Sequence, residues 1–145
     1  HSDSRTVTKE PANPEMIRRL KLPHEGPQTL VFVRRRVLAD DIPVLFSTDI
    51  LPLALFEEKR LDRIDFSQPI FEIAAAYCHT EITQTLAHLH AVTGSPGVRR
   101  QLGLRPDQAL LRLDETCYSR LCRPVLRCRT FYTDFFDFAL VRKLV

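Results

Sequence analysis

Two stretches decide the fold: QTLVFVRRRVLADDIPV at 28–44 and ALLRLDETCYSRLCRPV at 109–125. Each begins with an apolar run, breaks at polar residues and restarts at Pro-Val. That is the pattern of two strands joined by a turn. Asp40-Asp41 starts the first turn, and Arg120 to Arg123 form the second. A short helix signal stands ahead of each hairpin. Asn13-Pro14 leads into Met16, Ile17 and Leu20, and Ser95-Pro96 leads into Val98 and Leu102 with Gly103 behind. Proline suits the first turn of a helix, and glycine suits the position just past its end.

The two halves correspond residue by residue. Pro14, Arg18, Leu20 and Leu22 recur as Pro96, Arg100, Leu102 and Leu104, an offset of 82 (96 − 14). The strands recur one residue closer, with Leu30 as Leu111 and Pro43-Val44 as Pro124-Val125, an offset of 81 (124 − 43). An internal repeat of helix and hairpin predicts an α+β domain. It would consist of a single antiparallel sheet with short helices, internally duplicated about a pseudo-twofold axis.

The remaining segments fit around this unit. Val44 to Leu51 is the returning strand, and Pro52 starts a short helical stretch through Leu55 and Phe56. Ser67 reads as the N-cap of a helix containing Ile70, Ile73 and Ala74. Thr80 to Val92 alternates Ile82, Leu86 and Leu89 with polar residues and reads as a strand. Pro124 opens a strand ending near Phe136, and Phe138 to Val145 reads as the last strand. With side chains alternating, Arg35 and Val37 share a face, and the repeat maps them onto Thr116 and Tyr118.

Composition excludes several classes of function. A chain of 145 residues is a single domain, 1–145, and no apolar run approaches the roughly 20 residues of a membrane span. The net charge is +3, and the arginines at 18–19, 34–36 and 99–100 are dispersed. A nucleic-acid reader gathers its basic residues on one face, so this segment is not expected to touch DNA. The four cysteines include no CxxC pair, which predicts reduced thiols in a cytoplasmic protein. Cys78-His79 and His88-x-His90 lack a third ligand at a recognised spacing, so neither a metal nor a cofactor is expected. There is no nucleophile–base arrangement and no glycine-rich phosphate loop, so the chain does not read as an enzyme. The opening His1-Ser2 is compatible with a tag remnant, upstream of which the natural protein would continue.

The repeat and its motifs resemble the UTRA domain, the effector-binding half of the HutC branch of GntR-type bacterial repressors. Members of that family show a short helix ending in LxL, a strand, and then an R-x-R-x-A-D-G-x-P turn. Here the turn region runs Arg35-Arg36-Val37-Leu38-Ala39-Asp40-Asp41-Ile42-Pro43. The family's second-repeat pattern appears as Leu102-Gly103-Leu104, Tyr118 and Pro124-Val125.

The resemblance implies a chorismate-lyase-like fold and a small-molecule sensor. It also implies a homodimer that meets DNA only through an N-terminal winged helix–turn–helix, absent from this chain. Family effectors include sugar phosphates, urocanate and fatty acids. The matching positions place an anionic effector against Arg35 and the start of the helix at Ser67 to Phe71. The implied effector-binding set is Arg35, Val37, Ser47, Ser67, Ile70, Phe71, Tyr118 and Leu126. Three of these depart from the family pattern. Val37 replaces the second arginine of R-x-R, Ser47 a glutamate, and Leu126 an acidic residue. Fewer polar contacts point to a less polar acid than a sugar phosphate. The competing readings are a dimerisation scaffold without ligand and, behind it, a chorismate-lyase-like enzyme.

Overall fold

A computed structural model describes residues 1–26 and 28–144. Six strands form one antiparallel sheet: β1 (Ser2–Pro11), β2 (Thr29–Ala39), β3 (Ile42–Pro52), β4 (Ile82–Val92), β5 (Leu110–Ser119) and β6 (Pro124–Tyr132). Their order across the sheet is β1-β2-β3-β6-β5-β4. That order reads the same from either edge once each repeat is counted, as a pseudo-twofold axis between β3 and β6 requires. Helices α1 (Pro14–Arg19) and α3 (Pro96–Leu102) precede the two hairpins, and α2 (Ile70–Cys78) lies between the repeats.

The helix ends follow the residue chemistry. The Asn13 side chain accepts from the Met16 amide at 2.9 Å, and the Ser95 hydroxyl accepts from the Val98 amide at 3.3 Å. Both helices stop in the same way. The Leu22 amide donates to the Ile17 carbonyl and the Leu104 amide to the Arg99 carbonyl, around left-handed residues Lys21 (φ 49°) and Gly103 (φ 59°). In the first hairpin Asp40 and Asp41 both have positive φ, the backbone a tight two-residue hairpin turn needs.

Strand alternation divides the core between the two faces. Val31, Val33, Leu51, Cys117 and Leu126 point to one side, where Ile73, Ala74 and Cys78 of α2 cover them. Leu30 and Ile50 point to the other, against Leu20 and Leu22 behind α1.

Four sequence expectations need correction. First, β1 was not foreseen. It is an edge strand paired only with β2, and apart from Val7, which packs against the core, its side chains before Pro11 are polar or charged, with no apolar period to read. It is the counterpart of β4, which makes the repeated unit β-α-β-β. Second, Ser67 does not cap α2. Its hydroxyl and amide both bond to the Asp65 carboxylate, at 2.6 and 2.9 Å, and Pro69 occupies the cap position. Third, residues 138–144 form no strand, and Val145 lies outside the described residues. Phe136 and Phe138 instead pack edge-on against Tyr132, with ring centroids 5.0 and 4.9 Å away.

The fourth correction concerns register. Val37 pairs with Leu45 and Leu38 with Pro43 across one bulge, and Cys117 pairs with Leu126 and Tyr118 with Pro124 across its twin. The offset is therefore 80 (117 − 37) from β2 to β5 and 81 (126 − 45) from β3 to β6, because the second turn is one residue longer. Arg35 corresponds to Glu115, and Val37 to Cys117, rather than to Thr116 and Tyr118. A slip of one residue moves a side chain to the other face.

Candidate functional site

The chemistry on the α2 side of the sheet starts from Arg35. It lies on the face of β2 that carries Val31 and Val33, and its side chain is 14% exposed. One terminal nitrogen donates to the Phe66 and Gln68 carbonyls at 3.1 and 3.0 Å, and the other reaches the Asp49 carboxylate at 3.4 Å. Arg35 therefore ties the segment ahead of α2 to the middle of the sheet. Its Nε is buried without an acceptor among the described residues, a polar group left costly by burial.

Asp49 is the partner that the sequence did not flag. It stands two residues beyond Ser47 on the same face of β3. Burial pushes its carboxyl above the usual range, against the opposing pull of a Cys128 hydrogen bond and the Arg35 charge. Burial likewise lowers the Arg35 guanidinium, again outweighing the attraction of Asp49. Both shifts say that this pair is strained by desolvation rather than strengthened by it. Its sequence signal was slight: an Asp inside a run of strand residues ending Ile50-Leu51-Pro52.

The structure assembles part of the expected set around this pair. Ser47 faces Arg35 directly across the β2–β3 ladder and is buried. Val37 lies further along the same face, opposite Leu45. Ile70 packs on the rim of the core, and the amides of Ile70 and Phe71 have no acceptor among the described residues. These amides begin α2 directly after the Arg35-bound carbonyls, so a guanidinium and a helix start adjoin one another. The Phe71 side chain is largely solvent-exposed, and Ser67 is exposed and held by Asp65.

Two members sit elsewhere. Leu126 is sealed in the core against α2, where it can shape a floor but offers no open surface. Tyr118 belongs to the opposite face from Cys117 and hence from Arg35, because the repeat runs at 80 rather than 81 along β5. Among the described residues, no three His, Cys, Asp or Glu side chains gather closely enough to hold a metal ion. His88 and His90 share a face of β4 beside Asp114, and His79 caps α2 with its ring on Glu57 at 2.7 Å.

A family model for the UTRA domain matches residues 1–134. The chain belongs to the UTRA domain family. The fold agrees with solved relatives. A GntR-family transcriptional regulator from Enterococcus faecalis V583 is 24% identical, with 98% of this chain and 99% of that one covered and a TM-score of 0.76. The effector domain of PhnF from Mycobacterium smegmatis is 15% identical over 96% of this chain and 86% of that one, with a TM-score of 0.81. A GntR-family regulator from Bacillus cereus is 12% identical over 97% and 98%, with a TM-score of 0.79. At such identities the likeness is one of fold. No curated protein matches by sequence. Among the described residues of this UTRA domain, no helix is long and apolar enough to cross a membrane.

Proposed function

We propose that this UTRA domain senses a small, weakly polar organic acid between β2 and the start of α2, and relays its occupancy to a DNA-binding unit of the same regulator. Family membership makes the chain the ligand-sensing, regulatory part of a transcription regulator. The observation that carries the site is the Arg35 tether to the Phe66 and Gln68 carbonyls. An effector carboxylate would displace those neutral acceptors with a charged one, taking two parallel guanidinium hydrogen bonds and the free amides of α2. Occupancy would then reposition segment 65–69, a local trade of partners with consequences along α2. Val37, apolar and on the same face as Arg35, supports a ligand with few hydroxyls.

The reading includes a cytoplasmic homodimer of the HutC type that acts as a repressor, with DNA contacted through a separate winged helix–turn–helix and no catalysis. The open edge of β4 supports self-association, with Leu86 and Leu89 each about half exposed (53% and 51%) and the outer backbone unpaired. Co-purified small molecules identified by mass spectrometry, followed by melting shifts with the same acids, test the sensor reading. A ligand that binds only the native state raises the midpoint with its concentration. If no organic acid shifts the midpoint, the scaffold reading replaces it, and product formation from chorismate would establish an enzyme.

A further inference from the structure

A cleft of about 240 Å³ opens on the face of the sheet turned away from α2, beneath α1. The register lays Phe32, Ile50 and Arg127 in one row across β2, β3 and β6, and Arg34, Thr48 and Arg129 in the next. Met16 of α1 closes it from above. Phe32 and Ile50 thus stand in the same row as Arg127, with Arg34 and Arg129 in the row beside them.

The charges are unevenly matched. Arg34 is held by Glu10 at 2.9 Å and lies over the Phe32 ring. Arg129 makes a two-pronged pair with Asp114 at 2.7 and 3.2 Å, and Arg112 shares the same carboxylate at 3.2 Å. Arg127 makes no ion pair within 4 Å among the described residues, and the Asp114 and Glu15 charges act on it only from further off. It is 7% exposed, and its one protein hydrogen bond goes to the Thr116 hydroxyl at 2.7 Å. It also lines a second cleft, of about 220 Å³, with Arg19, His88, His90 and Asp114. Arg127 thus gives one of its five N–H groups to a neutral oxygen, and an anion in the cleft would take charge-assisted hydrogen bonds from the others.

We infer that this cleft is a second ligand site, distinct from the Arg35 site, which binds an amphipathic monocarboxylate with its head on Arg127 and its chain along Phe32, Ile50 and Met16. Thr48 stands beside the head group as a neutral hydrogen-bonding partner. A compact dianion such as phosphate suits the place less well, since it would leave the apolar wall uncovered.

The chain has one methionine, so a methyl-labelled Met16 gives one reporter signal in the cleft itself. Titrating the full chain with octanoate should shift this signal saturably, and inorganic phosphate should not. Arg127→Gln should weaken the octanoate affinity read at Met16 by about tenfold or more, the scale of a lost charge-assisted contact. Arg35→Ala should leave the Met16 titration unchanged, whatever it does to binding beside α2. If Arg127→Gln fails to fold, Arg127→Lys and the wild-type amide shifts at Thr48 and Ile50 decide the matter. The inference is overturned by a Met16 signal indifferent to octanoate, by equal affinity in a folded Arg127 variant, or by phosphate binding as tightly as octanoate. Each result is independent of whether the α2-side site binds an effector.

Discussion

Replacing Arg35 with alanine removes two guanidinium–carbonyl hydrogen bonds and strands the buried Asp49 carboxyl. Gln68 is partly exposed and its carbonyl can regain water, whereas Phe66 is buried, so each lost bond is worth about 1.5 kcal/mol or more, from the lower end of the range for charged partners upward. Asp49 is only 6% exposed along its side chain and has no such recourse. The combined cost is roughly 3–5 kcal/mol, large against a domain stability of about 5–15 kcal/mol yet compatible with folding. The pH dependence carries the sharper signature. Burial already holds the Asp49 carboxyl above its usual range, and losing Arg35 raises it further. The folded variant then binds a proton that the unfolded chain releases, so its stability falls as pH rises above the ordinary carboxyl value of about 4 and through the raised one. Urea unfolding followed by circular dichroism at pH 5 and pH 8 measures both effects. The deficit relative to wild type should be larger at pH 8. A deficit below about 0.5 kcal/mol, or one equal at both pH values, would refute the tether as a structural element.

Asp114 should show the opposite acid behaviour. Its pairs with Arg129 and Arg112 overcome burial and hold its carboxyl below the usual range, so its stabilisation is complete above about pH 4 and drains away as pH falls through the lowered value. Asp114→Asn should cost about 1.5–3 kcal/mol at pH 7 in a denaturant titration, and the loss should shrink in acid. Lys21 holds the left-handed position that Gly103 holds in the second repeat. Lys21→Gly should therefore gain about 0.5–1 kcal/mol in a thermal melt, the strain relieved less the added chain entropy; an unchanged or lower midpoint would contradict this. Cys78, Cys117 and Cys128 are buried and Cys122 is exposed, and burial pushes the Cys78 thiol up to about 11. At pH 8 a thiol reagent should consume one equivalent from the native chain and four after denaturation.

The sequence alone determined most elements whose cause is local, the Ser67 cap of α2 being the exception. Asn13-Pro14 and Ser95-Pro96 place the helix starts because a side-chain oxygen and a pre-set φ act within one turn. Asp40-Asp41 places the hairpin, and the recurrence of these signals in one order was enough to expose the duplication and, with the family motifs, the fold. What lay beyond reach was anything measured across strands. The polar strand β1 had no apolar rhythm, since a single valine, Val7, packed against the core sets no period. The partners of Arg35 come from 31 and 33 residues away, along a segment whose path depends on how α2 packs. The side on which Tyr118 lies turned on a single extra residue in the second turn, which no local preference records. Register is settled only when Val31, Leu51, Cys117 and Leu126 are buried together under α2, because that burial, and not the propensity of any one strand, decides which face each side chain takes.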